Sequence, residues 1–208
     1  MHQVPPTLSP FVIKACKNTC PNAVLPHAPR VELEQVVHAS GWPDFLHQTV
    51  TNIRHHHQFK IAVSACPNGC AQPHIADFGL IATAKIHLDP DLCKECGLCI
   101  TACREQALNL GPPITLDAKA CLGCLACVRV CSTQALTSPK ALYRVVLGGK
   151  LGRHPRLAHE LGEFNVPQVL VILEKTLALY MQHYRPRLRL GELVEHLGVE
   201  NVNALVGP

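Results

Sequence analysis

Lys60-Ile-Ala-Val-Ser-Ala-Cys66-Pro-Asn-Gly-Cys70-Ala-Gln-Pro-His-Ile-Ala-Asp77-Phe-Gly-Leu80 is the stretch on which the fold turns. Together with Phe59, the run to Ala65 is short, apolar and β-rich. Cys66-Pro67-Asn68-Gly69-Cys70 ends it with two thiols on a turn, where Pro, Asn and Gly are at home. Ala71 to Asp77 reads as a turn or one helical turn. Gly79 to Leu88 is apolar again and predicts a second strand.

Two more thiols stand upstream, in Cys16-Lys17-Asn-Thr-Cys20, a basic turn that also includes Lys14. Two pairs of equal spacing suit zinc or an iron–sulfur cluster. Downstream, Cys93-Lys-Glu-Cys96-Gly-Leu-Cys99-Ile-Thr-Ala-Cys103 is followed by Cys121-Leu-Gly-Cys124-Leu-Ala-Cys127-Val-Arg-Val-Cys131, the same spacing twice. That repeat resembles a bacterial ferredoxin with two cubane clusters, in which the fourth cysteine of each repeat serves the other cluster. The expected ligand sets are Cys93, Cys96, Cys99 and Cys131, then Cys121, Cys124, Cys127 and Cys103. Zinc sites use looser ligand pairs. Arg104 and Ser132 stand where that motif usually has proline.

Composition narrows the class. The 208 residues suit one domain with an insertion or two small ones, and 48% hydrophobic content is enough for a core. Charged residues make up 16% and the net charge is +4. This suits anionic ligands or an acidic partner and shows no nucleic-acid stripe. Twelve cysteines so grouped predict a reducing, anaerobic cytoplasm. No signal sequence or membrane span is read.

Along the chain, a Pro-rich loop feeds a strand at Phe11-Val-Ile. Residues 31–40 predict a helix stopping at Gly41, and Pro43 to about Arg54 predicts a second, with His55-His56-His57 as its polar end. Ile114-Thr-Leu116 and Leu142–Leu147 read as strands. Gly148-Gly149-Lys150-Leu-Gly-Arg153-His154-Pro-Arg156 is a loop whose glycines let backbone approach a ligand and whose cations suit carboxylates or an oxyanion. Helices are expected over Leu157, Ala158 and Leu161, over 167–183, and over Gly191–Leu197. Arg185, Arg187 and Arg189 read as a solvated basic face. Val199–Pro208 carries no readable chemistry.

The Lys60–Leu80 stretch resembles the sirohaem and iron–sulfur segment of the sulfite and nitrite reductase haemoproteins, and Gly148–Arg156 is similar to the basic loop that meets their tetrapyrrole. A ferredoxin between the two resembles anaerobic or dissimilatory-type sulfite reductase subunits. The resemblance implies an α+β fold, a reductase-type sheet with helices interrupted by a ferredoxin. The domains are then 1–88, 89–138 (inserted, two [4Fe-4S] clusters) and 139–208. It implies a third [4Fe-4S] cluster on Cys16, Cys20, Cys66 and Cys70, with Cys70 bridging to sirohaem. Asn68, Lys150, Arg153, His154 and Arg156 are then cofactor-binding, and Lys60 and Lys14 are substrate-side cations. Two departures stand out. Three residues rather than five separate Cys16 from Cys20, and Gln58 replaces a usual lysine.

The resemblance thus implies a sirohaem iron–sulfur oxidoreductase reducing sulfite or nitrite, as an enzyme or as a subunit of one. The alternatives are a non-catalytic electron-transfer subunit and a tetrapyrrole carrier. Expected partners are a small oxyanion, an electron-donor protein or reductase subunit, and a second copy or different chain that completes the haem site.

Overall fold

The computed structural model describes residues 8–17 and 19–208. The expected N-terminal loop falls largely on residues 1–7, outside the described ones. In chain order the elements are β1 (Phe11–Ala15), α1 (Arg30–Ala39), α2 (Trp42–Thr49), β2 (Phe59–Ser64), β3 (Phe78–Leu88), α3 (Leu98–Ala102), β4 (Leu108–Asn109), β5 (Thr115–Leu116), α4 (Ala126–Val130), β6 (Leu136–Leu147), β7 (His159–Phe164), α5 (Val166–Gln182), α6 (Leu190–Leu197) and α7 (Val199–Val206). A 3-10 turn, Pro73–Ile75, lies between β2 and β3.

The main sheet runs β1-β2-β3-β6-β7; β1, β2 and β3 are parallel, and β6 and β7 continue it antiparallel. Side chains alternate across it. Phe11, Ile13, Ile61, Val63, Leu80, Tyr143 and Val145 face a core built with Leu33, Trp42, Leu46, Ile172 and Leu177 of the helices. Trp42 stacks on Tyr180 with ring centroids 5.3 Å apart, and its indole N–H donates to the Pro10 carbonyl at 3.0 Å. The other face of the sheet is covered too. Pro73 packs on Gly79, and the lobe between β3 and β6 bonds to Thr83 and Ala84. Coverage on both faces is why β2 is apolar almost throughout.

Tertiary context overrides local pattern in several places. The helix expected at Leu157, Ala158 and Leu161 is the edge strand β7. It pairs with β6 across a bulge, Gly162 adopts φ 143°, and the Arg144 guanidinium grips Glu160. α2 ends at Thr49 rather than Arg54, because β-branched Val50 turns extended. The histidine run is therefore not a helix end. It forms a turn, with the His57 amide donating to the Arg54 carbonyl at 2.8 Å. β6 starts at Leu136 and runs through Pro139, which sits where the β3 register shifts between Lys85 and His87. The C-terminal residues read as featureless form α7, which buries Val202 and Val206.

The arginine triplet also divides. Arg185 and Arg187 are exposed. Arg189 is not part of a solvated face. Its Nη2 meets both oxygens of buried Asp77, at 2.8 and 3.0 Å, and Asp77 also accepts the Lys60 amide at 2.9 Å. The pair ties the start of β2 and β3 to the start of α6. Removing one partner leaves a buried charge alone. Asp77→Ala is expected to lower the unfolding free energy by roughly 3 kcal/mol, measured by equilibrium denaturant unfolding of the apoprotein.

Candidate functional site

Parallel pairing of β1 with β2 decides where the first four thiols go. Register Phe11↔Phe59 to Ala15↔Val63 makes both strands end together, so Cys16 and Cys66 leave the same edge of the sheet. The Cys16 amide continues the ladder by donating to the Val63 carbonyl at 3.0 Å. Past Cys20 the chain is fastened again, as the amides of Val24 and Leu25 both donate to the Ala65 carbonyl, at 2.7 and 3.3 Å. Burial pushes the Cys66 thiol up, the Asn68 amide draws it down, and nearby Cys20, Cys70 and Cys16 raise it further. Cys66 is buried, while Cys70 is exposed. The set therefore has a closed side and an open side. Asn68 serves it through its backbone, with its side chain on the surface.

The other eight thiols form two sets in the lobe of α3, α4, β4 and β5. Cys93, Cys96, Cys99 and Cys131 line one apolar cavity with Leu98, Ile114 and Leu136. Cys103, Cys121, Cys124 and Cys127 line a second with Ile86, Leu108 and Leu116. Each set thus takes three thiols from one repeat and one from the other. The backbone repeats as well. Left-handed residues fall at matching offsets: Glu95 and Gly123, Gly97 and Leu125, Gln106 and Gln134. Amides of Glu95, Gly123 and Ala107 donate to Cys93, Cys121 and Cys103 sulfurs at 3.3–3.4 Å. Such N–H···S bonds favour thiolates. Burial, followed by neighbouring Cys121 and Cys124, pushes Cys127 up to about 11. At Cys131 burial is outweighed by hydrogen bonds, led by Thr133, and its thiol falls below the usual value.

Gly123 attaches this lobe to the sheet. A Cβ there would lie 2.4 Å from both the Ala84 carbonyl oxygen and Thr83 Oγ1. The Ala84 amide donates to the Gly123 carbonyl at 3.1 Å, and the Thr83 hydroxyl to that of Leu122 at 3.0 Å.

The basic loop folds onto the segment after Cys70. The Gly148 amide donates to the Asp77 carbonyl at 2.8 Å, and the Ala158 amide to that of His74 at 2.8 Å. A Cβ on Gly149 would lie 2.3 Å from the His74 carbonyl oxygen. Mutual hydrogen bonds between Lys150 and Arg156 close the loop. Two expected cations are engaged by α6: Lys150 Nζ meets Glu192 at 2.5 Å, and Arg156 meets Glu195 at 2.5 Å. Lys150 holds the Glu192 carboxyl below the usual range. Arg153 and His154 stand exposed at the tip, beside a cavity of about 250 Å³ shared with His56 and Arg187.

The two lysines part company. Lys14 Nζ donates to the side chain of Gln72, two residues after Cys70, at 2.8 Å. Lys60 is the second residue of β2, and at ~3.3 Å per residue it lies about 20 Å from Cys66. Burial, then Arg189, lowers its ammonium, and Asp77 offsets this in part. Gln58 is buried, with its side-chain amide donating to the Ser9 carbonyl at 3.0 Å. Sequence reading missed Ser64, whose hydroxyl accepts from the Ala71 amide at 3.2 Å, and the carboxylates of α6. Their partners are too distant in sequence to signal.

A family model described as "Nitrite and sulphite reductase 4Fe-4S domain" matches residues 14–208. The chain belongs to that family. It is therefore a domain of the nitrite and sulphite reductase 4Fe-4S type. It is 34% identical over 145 residues to the coenzyme F420-dependent sulfite reductase of Methanocaldococcus jannaschii, covering 68% of this chain and 23% of that protein. It is 38% identical over 52 residues to one of the subunits of the anaerobic sulfite reductase of Salmonella typhimurium, covering 25% of this chain and 15% of that one. The chain thus spans under a quarter of either protein. The crystal structure of dissimilatory sulfite reductase I shares the fold, at TM-score 0.62 and 18% identity over 93% of this chain and 51% of that one. The α+β reading with a reductase-type sheet is borne out. No helix among the described residues is long and apolar enough to cross a membrane. Among the described residues, no three Cys, His, Asp or Glu side chains group closely enough to hold a metal ion.

Because backbone fills the space beside Gly149, Gly149→Ala is expected to cost roughly 1–3 kcal/mol and to speed amide exchange at Ala158, read by exchange mass spectrometry.

Proposed function

We propose that this chain is the cluster- and tetrapyrrole-binding part of a reductase that takes sulfite, or secondarily nitrite, through a multi-electron reduction. The observation that carries the reading is the convergence of Cys16, Cys20, Cys66 and Cys70 at one sheet edge, with Cys66 buried and Cys70 exposed. That donor set suits a cubane with one ligand turned outward, and the exposed cations Arg153 and His154 suit the carboxylates of sirohaem. Cys16, Cys20, Cys66 and Cys70 would hold the cluster, with Cys70 also facing the macrocycle. When bound, the coupled pair would supply low-potential electrons and a place for the oxyanion to bind.

The chain's own residues do the rest. Lys14 brings positive charge to the Cys70 side, and Gln72 orients its ammonium. Lys60, its ammonium eased toward proton release by burial, holds a proton at Nζ near Arg189. The loop closed by Lys150 and Arg156 sets Arg153 and His154 in place. The eight lobe thiols would hold two ferredoxin-type clusters that pass electrons inward. A second copy or another subunit would supply the facing wall of the haem cavity.

One observation favours a second reading, a non-catalytic electron-transfer subunit. Gln58, where the family usually has lysine, is turned into the core.

Two measurements separate them. Anaerobically purified protein should show sirohaem absorption that shifts on adding sulfite, and viologen-linked sulfite reduction. Iron–sulfur absorption alone, with no turnover, would support the relay. Cys70→Ser should abolish the coupling between cluster and haem and most of the turnover while leaving the lobe's cluster signals unchanged; full activity in that variant would refute the assigned bridge.

A further inference from the structure

The lobe and the first thiol set share a cavity. Cys124 and Cys66 line a common cavity of about 260 Å³, together with Asn22, Asn68 and Arg129, and none of Cys93, Cys96, Cys99 or Cys131 lines it. Arg129, in α4, spans the gap. Its Nη1 donates to the Cys124 carbonyl at 3.1 Å, on its own side. Its Nη2 donates to the Ala23 carbonyl at 3.1 Å, in the loop that leaves Cys20. That loop is otherwise fastened by Val24 and Leu25 to Ala65, one residue before Cys66. A single planar guanidinium thus bonds to the carbonyl of one thiol-bearing residue and to the loop that carries another. Arginine's fork suits two acceptors held at a fixed separation, which lysine's point charge does not enforce.

We propose that Arg129 is a positioning residue that fixes the gap between the Cys103, Cys121, Cys124, Cys127 set and the Cys16, Cys20, Cys66, Cys70 set, making the former the exit of the lobe. This rests on the reductase reading above. The step it would serve is a one-electron transfer from a cluster held by the lobe set to one held by the sheet-edge set, with no change of bond or proton. A low-potential electron-donor protein supplies the electron in function, and titanium(III) citrate supplies it in the test. Electron tunnelling falls steeply with distance, so a latch that fixes this gap governs the rate.

The test compares full-length wild type with Arg129→Ala and Arg129→Lys. Amide exchange at Val24 and Leu25 needs no cofactor. It should rise about tenfold in Arg129→Ala, the scale of one or two lost hydrogen bonds, and recover in part in Arg129→Lys. In the anaerobically loaded protein, magnetic coupling between reduced clusters should weaken and electron arrival at the sheet-edge set should slow in Arg129→Ala, with iron content unchanged; Arg129→Lys keeps the charge but not the fork, so it should keep the midpoint potentials and still slow the transfer. Unaltered exchange, or unaltered coupling and rate, overturns the latch. If wild type loads no sheet-edge cluster, the reductase reading and the electron step assigned here fall together, and the exchange data alone still show whether Arg129 joins the two segments.

Discussion

The carbonyl of Ala65 accepts two amides, from Val24 and Leu25, and the rest of the site depends on that junction. It closes a loop that starts where β1 ends, so the thiols of Cys16 and Cys20 cannot drift from those of Cys66 and Cys70. Parallel pairing is what makes the closure work. Antiparallel neighbours would send the two pairs to opposite edges. The thiols are thus gathered by backbone bonds, which do not depend on any metal, and burial beside their neighbours raises the Cys66 thiol. Binding a thiophilic cluster relieves that, since the ligands are then held as thiolates.

The second constraint is the return path. β2 and β3 are parallel, so the chain after Cys70 must travel back along the sheet. It does so against Gly79, with Ser64 holding Ala71 and Gly149 pressed on His74. Two glycine-bearing segments, far apart in the chain, thereby interlock. The ion pair of Asp77 with Arg189 stands at the far end of this path and anchors α6, whose Glu192 and Glu195 then hold the basic loop shut. One chain of contacts therefore leads from a buried carboxylate to the exposed cations Arg153 and His154.

Much of this was legible because the chemistry is spelled in short spacings. The doubled thiol repeat, the Cys-Pro-Asn-Gly-Cys turn and the Gly-Gly-Lys loop announce themselves locally, and the strands beside them follow from apolar runs with turn residues at their ends. What escaped notice is non-local. β7 carries Glu160, Leu161 and Gly162, a poor strand by propensity, and is made one by its place on the edge of β6. Arg189 resembled its exposed neighbours until Asp77, 112 positions earlier, was found to be its partner. Arg129 sits inside the Cys127–Cys131 motif, and the carbonyl it reaches lies in a loop 106 positions away. α7 was missed because its two buried valines are too few to show a period.

The central claim is that the four thiols outside the repeat hold a cluster of their own. Mössbauer spectroscopy of anaerobically reconstituted protein tests it most directly, comparing wild type with Cys66→Ala. The account predicts cubane iron amounting to three clusters per chain in the wild type and two in the variant. Two clusters per chain in the wild type, unchanged by removing Cys66, would contradict it.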